Sequence, residues 1–427
     1  MADSPSPVTL NDVPRIVDAK PLSLSWTTHV VLGLFIAVGA VAFLQELFSG
    51  DARHAWTSLQ VNFMYWFCVA AASSGFAAVF QICNAQWSRP IRRIFESALP
   101  FLMISPLLLV VLYFGHEYLF VWAHTPIAGK EKWLTSNFVY ARDIAAILLL
   151  AWLTRKVVHL SIRRDLLAIR GGLTGLDEKS LSRWQEQRYD RFVRDADANA
   201  KDAIAKTSSQ LGVLSPILVW VYALSMSLIA FDQIMSVDPH WFSTMFGGFY
   251  FMSAVYLAMA FAAIGVAVLR QQHPLFLAKI ERRTLWDLGK LLFGFGIFWA
   301  YLFWSHYLPI WYGNLPEETA WIIVRLREQP WHGIAWFVLG SCFIVPFLLG
   351  LSRDVKQVPI LLFGTALIVA IGLWVQMYLL FAPTLYPDTI PLSFTDLFVT
   401  LGFLGAYLLS ASYYLERVPL IPFGDLY

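Results

Sequence analysis

The chain has 427 residues, of which 58% are hydrophobic and only 14% are charged. Soluble globular proteins carry roughly a quarter of charged residues, so this composition excludes that class and predicts a polytopic membrane protein. The net charge of +2 gives no support to nucleic-acid binding, and the isolated Cys68, Cys83 and Cys342 form no motif for an iron–sulfur cluster, covalent haem or structural zinc.

The first segment, 1–25, is rich in Pro, Ser and Asp. It has no basic stretch leading into an apolar core, so we expect no cleavable signal peptide. We expect a short disordered tail there, on the same side of the membrane as a second tail at 416–427.

Ten apolar segments are long enough to cross a bilayer. They lie at about 27–47, 58–84, 95–115, 137–160, 209–235, 242–269, 285–311, 331–351, 357–382 and 392–414. The predicted fold is therefore an all-α polytopic membrane domain over 26–415.

The basic residues between the segments are distributed unevenly. Of the 31 Lys and Arg residues, 24 fall on the side of the N-terminus if the segments cross in alternation. By the positive-inside rule both termini are cytoplasmic. The same side receives the insertion 161–208, where charges alternate at helical spacing, which favours a solvated helix or a docking site for another subunit.

The outer segment 312–330 is predicted to contain a short helix on the membrane surface. Pro316 suits the first helical position, and Glu317 and Glu318 complement the positive end of the helix dipole. Arg325 and Arg327 complement its negative end.

Ionisable residues inside the apolar segments are costly in a bilayer and require a reason. They divide into a group near the cytoplasmic side and a group near the outer side. Between these two groups the polar side chains are uncharged and carry hydroxyl groups. The candidates for a proton pathway are His29, Glu96, Arg142, Asp143, Asp232, Asp287, Lys290, Tyr301, Ser305, His306 and Asp396. Two half-channels joined by hydroxyls and water would carry protons, but scattered hydroxyls are equally typical of ordinary helix–helix contacts.

The seventh segment carries a polar stripe. At 100° per residue, Asp287, Lys290, Tyr301 and Ser305 fall within roughly 60° of one another, so we expect this face to meet protein or water rather than lipid. Asp287 and Lys290 also fit a self-neutralised pair near the headgroups. Arg142 fits a structural ion pair with a carboxylate on another helix, for which Asp232 and Asp396 are the candidates.

Two segments, 232–251 and 298–319, together resemble the ActF membrane subunit of alternative complex III, a bacterial quinol:cytochrome c oxidoreductase. In the first segment the resemblance rests on Asp232, Met235, Ser236, Pro239, Trp241, Phe242, Ser243 and Thr244. In the second it rests on Trp299, Tyr301, Ser305, Ile310, Trp311, Tyr312, Asn314, Pro316, Glu317, Glu318 and Thr319.

The resemblance implies a fold like that of the NrfD and polysulfide-reductase membrane subunits. In that fold, spans 2–5 and 6–9 form two four-helix bundles, with one flanking helix at each end. It also implies the bacterial inner membrane and three kinds of partner: a second NrfD-like membrane subunit, a periplasmic iron–sulfur subunit and c-type cytochrome subunits. The expected role is to scaffold those subunits and to conduct protons, with no cofactor bound and no catalysis by this chain alone.

Other interpretations remain open. A site for quinol or menaquinol, if this chain has one, is expected at the outer side near Asp232, Trp241 and His306, where an imidazole and a carboxylate could take quinol protons. The rival classes are an NrfD-like subunit of another membrane oxidoreductase, a secondary transporter and a stand-alone haem-binding cytochrome. A haem would need two histidines at matching depth, and only His306 and His332 could supply them.

Overall fold

The structure is a computed structural model that describes residues 22, 24–170, 189–193 and 200–420. Within these residues it contains ten helices long and apolar enough to cross a membrane, and no β-strand. The predicted all-α polytopic fold is confirmed. The tail at 1–25 and the charged centre of the insertion fall almost entirely outside the described residues, as does most of the second tail.

The long helices are labelled α1 to α10 in chain order. The first five are α1 (Trp26–Ser49), α2 (Ala52–Ile82), α3 (Leu99–Tyr113), α4 (Ser136–Arg170) and α5 (Ala200–Gln233). The other five are α6 (Phe246–Gln272), α7 (Arg282–Gly313), α8 (Trp331–Leu351, with a π-helical turn at Gly340–Ile344), α9 (Pro359–Leu385) and α10 (Phe394–Leu415). Several run beyond the predicted bounds, most of all α4 and α5, which extend into the predicted insertion.

The helices form two groups that share a long interface. Helices α2 to α5 pack against one another, and so do α6 to α9, while α2 and α6 join the two groups. An even number of crossings returns the chain to its starting side. We call that side the N-terminal face and the other side the opposite face.

The first and last helices flank this core and pack mainly against each other. Their contact is made at glycines: a Cβ added to Gly39 would lie 2.8 Å from the Cα of Gly402, too close for any side chain. Small residues that allow such backbone approach are typical of helix pairs in membranes.

Prolines interrupt several helices, and polar side chains compensate for some of the lost hydrogen bonds. Pro346 has no N–H, so the Cys342 carbonyl four residues earlier loses its helical donor. The Tyr256 hydroxyl on α6 donates to that carbonyl at 3.0 Å.

The predicted surface helix is present at Pro316–Leu326, with Pro316 in the first turn. It lies at the opposite face between α7 and α8 and contacts both helices as well as α9. Its position brings the end of α7 and the start of α8 around a common space.

Candidate functional site: an aromatic groove and buried polar clusters

The outer ionisable residues form two separate clusters at the opposite face. In the first, Arg142 on α4 donates to both oxygens of Asp232 on α5, each at 2.6 Å, and stacks on Trp133 with its Cζ 3.9 Å from the ring centroid. Asp143 lies close to this pair and accepts from Gln233 at 2.7 Å. Of the two predicted partners for Arg142, Asp232 is the right one.

Asp396 belongs instead to the second cluster, where α1, α2, α9 and α10 meet. Its carboxylate lies 3.1 Å from Nε2 of His54 and accepts from the Tyr378 hydroxyl at 2.6 Å. The other ring nitrogen of His54 lies 3.1 Å from Glu46. The sequence analysis overlooked His54, because it treated this histidine as part of a loop while the structure begins α2 at Ala52.

At the N-terminal face, Glu96 is fully buried in a network that joins three helices. It accepts from Arg93 and from the Tyr414 hydroxyl, and Arg93 also pairs with Asp165 on α4. Arg93 lies just before the third predicted span, which begins at about 95, and the short helical turns before α3 direct it inward. Glu96 therefore acts as a structural anchor in this chain.

The polar stripe on α7 is turned outward in the isolated chain, and its expected contact with protein or water stays a prediction. Tyr301 is 60% exposed and Lys290 is also exposed, while Trp299, Leu302 and His306 on the other side of the helix are buried. Asp287 and Lys290 form the self-neutralised pair, with 2.7 Å between the charged atoms. His29 lies near Glu416 at the same face, 3.9 Å away.

His306, a predicted candidate, lies against a cavity. It is 7% exposed, and its ring centroid is 5.6 Å from that of Trp241. Trp241 in turn stacks on Trp321 of the surface helix, with 4.0 Å between centroids and 6° between planes. The structure thus brings Trp241 and His306 together as predicted. Asp232 does not join them and instead forms the ion pair with Arg142.

Arg325 holds the surface helix in place over this aromatic cluster. Its guanidinium lies 3.8 Å above Trp321 and donates to the carbonyls of Leu379 and Leu380 on α9, each at 3.0 Å. Because Pro383 has no N–H, the Leu379 carbonyl has no helical donor, and Arg325 supplies one. Burial lowers the pKa of Arg325 to about 9, so it remains charged at neutral pH.

A groove of about 680 Å³ lies between α7, α8 and the surface helix. Its walls are mainly aromatic and aliphatic, and Trp304, Trp311 and Trp336 on its rim are each more than half exposed. The groove is therefore open along this tryptophan rim. Asn314 and Arg327 add polar groups to its lining.

Behind this groove lies a smaller inner cavity of about 60 Å³. Both spaces are lined by Phe303, Tyr307, Ile322, Leu326, Ala335 and Leu339. The inner cavity is also lined by His306, Arg325 and Gln376. Nε2 of His306 is buried and has no hydrogen-bond partner among the residues that the structure describes.

His332 lines the outer groove, but both of its ring nitrogens are occupied. Nδ1 lies 2.7 Å from the Leu326 carbonyl, and Nε2 accepts from the Trp336 indole at 3.1 Å. This arrangement fixes the tautomer with the proton on Nδ1. His332 therefore has no ring nitrogen left for a haem iron.

No group of three or more His, Cys, Asp or Glu side chains suited to a metal ion occurs in the described part of the chain. In comparisons with known proteins, no family model matches the chain and no curated protein matches it significantly.

Proposed function

We propose that this chain is the integral membrane subunit of a quinol-oxidising electron-transfer complex in a bacterial cytoplasmic membrane, and that it binds quinol in the aromatic groove. The observation that carries this proposal is the groove itself: about 680 Å³ of mainly apolar space with exposed tryptophans along its rim. Ligand sites typically measure about 300–1,000 Å³ and combine apolar walls with a few polar groups.

The groove suits the two parts of a membrane quinol. Tyr307 and Trp336 offer faces on which a flat ring can stack, a contact worth about 0.5–1.5 kcal/mol beyond simple burial. Asn314 and Arg327 offer hydrogen-bond donors for ring oxygens. The exposed tryptophans of the rim leave a lateral opening through which an isoprenoid tail would extend into the bilayer.

The two segments that carry the resemblance to the ActF subunit support the same location. Segment 232–251 contributes Trp241. Segment 298–319 contributes His306 and three residues that line the groove, Tyr307, Trp311 and Asn314. Residues far apart in the chain therefore converge on one end of the second helix group. In a family that shares these residues, we expect the ligand-binding site at this end of the second helix group.

In such a complex, electrons would leave the quinol for iron–sulfur and c-type haem groups held by partner subunits. A second NrfD-like subunit would share the membrane. The aromatic loops and the surface helix at the opposite face would then form the docking surface, and the excess of Lys and Arg at the N-terminal face would orient the chain.

Two measurements test the proposal. First, a tagged chain is purified from its native membrane with mild detergent, and the co-purifying proteins and haem are identified. We expect iron–sulfur and c-type cytochrome subunits. If the chain purifies alone and moves a solute across vesicles, the transporter interpretation replaces this one.

The second measurement is binding of the quinol analogue HQNO, followed by quenching of its fluorescence. Ala335→Trp fills the groove and should abolish binding. Leu361→Trp adds the same side chain at a position on α9 that is 44% exposed and outside the groove, and it should leave binding unchanged. Equal binding by both variants would place the ligand elsewhere.

A further inference from the structure

The inner cavity behind the groove has a polar side that the quinol proposal does not use. His306 presents a buried Nε2 that lacks a hydrogen-bond partner among the described residues. An unpaired buried polar atom costs about 1–3 kcal/mol, so a native protein normally supplies it with a partner.

Gln376 provides further hydrogen-bonding capacity on the same cavity. Its Oε1 accepts from the Trp299 indole at 2.9 Å, and its Nε2 donates to Ser253 Oγ at 3.3 Å. An amide oxygen has two lone pairs and an amide nitrogen has two N–H groups, so each keeps one unused site. Gln376 is 1% exposed and lies in the middle part of α9.

The size and polarity of the cavity fit water. A buried water needs roughly 10–15 Å³ of such space and two to four polar partners. The inner cavity, at about 60 Å³, is too small for a quinone ring but has room for about four waters.

We propose that the inner cavity is a hydrated chamber that takes protons from a ligand in the groove and passes them to His306 and toward Gln376. Its role rests on the proposed function, whereas its hydration does not. A quinol oxidised in the groove loses two electrons and two protons. The two electrons would go to the metal groups of partner subunits. One O–H proton passes through water to Nε2 of His306, and the other leaves to solvent at the opposite face, past the exposed Asn314 of the groove lining.

The wall shared with the groove explains how the two spaces would communicate. Tyr307 lines both spaces, and none of the described residues forms a hydrogen bond with its hydroxyl group. A ring oxygen held against this wall would lie one layer of side chains from the chamber. The chain thus separates the bulky ligand from the site that receives its proton.

His116 offers a control within the same protein. It lines neither the groove nor the inner cavity, and its Nδ1 is hydrogen-bonded to the Tyr113 carbonyl. His306→Gln and His116→Gln make the same chemical change, one at the chamber and one away from both spaces. Only the first should disturb proton transfer.

The hydration arm uses the full chain in lipid nanodiscs with ¹⁵N-labelled histidine. The two Gln variants assign the signals, and magnetisation exchange with water is then measured. We expect exchange at the ring of His306. Val338→Ile, which adds one methylene to the chamber wall, should reduce it. Absence of exchange at His306 in the unmodified chain would overturn the proposal.

The functional arm uses the purified complex and quinol-dependent reduction of its acceptor. His306→Gln should lower kcat by about 100-fold, the scale expected for removal of an acid–base group, with HQNO affinity and KM unchanged. His116→Gln should stay within about twofold of the unmodified complex. Equal losses in both variants, or none in His306→Gln, would overturn the relay. Failure of HQNO to bind the unmodified complex would instead refute the proposed function and leave the hydration result standing.

Discussion

Replacement of Arg325 should separate the surface helix from α9. Arg325→Met keeps the apolar stem but removes the donors to Leu379, Leu380 and Thr384, the last at 2.8 Å. Hydrogen bonds from a charged group contribute about 1.5–3 kcal/mol, and the orphaned Leu379 carbonyl adds a cost. We expect a loss of about 3 kcal/mol in the free energy of unfolding.

A second substitution tests the mechanism behind this loss. Pro383→Ala restores an N–H that can donate to the Leu379 carbonyl, so it should make Arg325→Met less damaging. A double-mutant cycle then gives a coupling energy of about 1–2 kcal/mol. Arg325→Lys should give an intermediate loss, because a point charge cannot reach all the acceptors that the planar guanidinium spans.

Unfolding is followed by SDS titration in mixed micelles, with hydrogen exchange of peptides covering 316–327 and 379–386 as the local measure. Arg325→Met should accelerate exchange in both peptides, and Pro383→Ala should restore protection in the second. If the two substitutions prove additive, Arg325 does not substitute for the missing helical donor and the explanation is wrong.

Three further substitutions test other contacts. Tyr256→Phe removes only the hydroxyl that serves the Cys342 carbonyl, and it should cost about 1 kcal/mol in the same SDS titration; no change would show that this carbonyl has another donor. Asp232→Asn leaves the Arg142 guanidinium without its carboxylate, and it should cost about 3–5 kcal/mol, with a small loss indicating that solvent reaches the pair. Gly402→Leu should separate the first and last helices, seen as faster proteolysis of the first, whereas an unchanged digestion pattern would contradict that contact.

The number of spans and the surface helix were predictable from the sequence because both depend on local patterns. A run of apolar residues defines a span wherever it lies, and Pro316 followed by Glu317 and Glu318 marks a helix start. The rarity of intramembrane charges reduced the candidate partners of Arg142 to Asp232 and Asp396, and the structure selects Asp232.

The direction of the α7 stripe was not predictable from periodicity. Helical spacing shows which residues share a face of the helix, but not which face is turned inward. It therefore puts Tyr301 and His306 on different faces of α7 without showing which of the two faces is buried. Arg325 was assigned to the surface for a related reason. Its acceptor is created by Pro383 on another helix, and only the tertiary arrangement brings the two together.

The contact between Gly39 and Gly402 has a consequence for biogenesis. The earliest helix to enter the bilayer finds its main neighbour only after the final one has been inserted, since domains form in the order of synthesis. Until then α1 has only its smaller contact with α2, made in part by Phe43 and Trp56. Nearly the whole polypeptide must therefore be synthesised before α1 and α10 can pack together. Shortened chains that stop before α10 should leave α1 accessible to quality-control proteases.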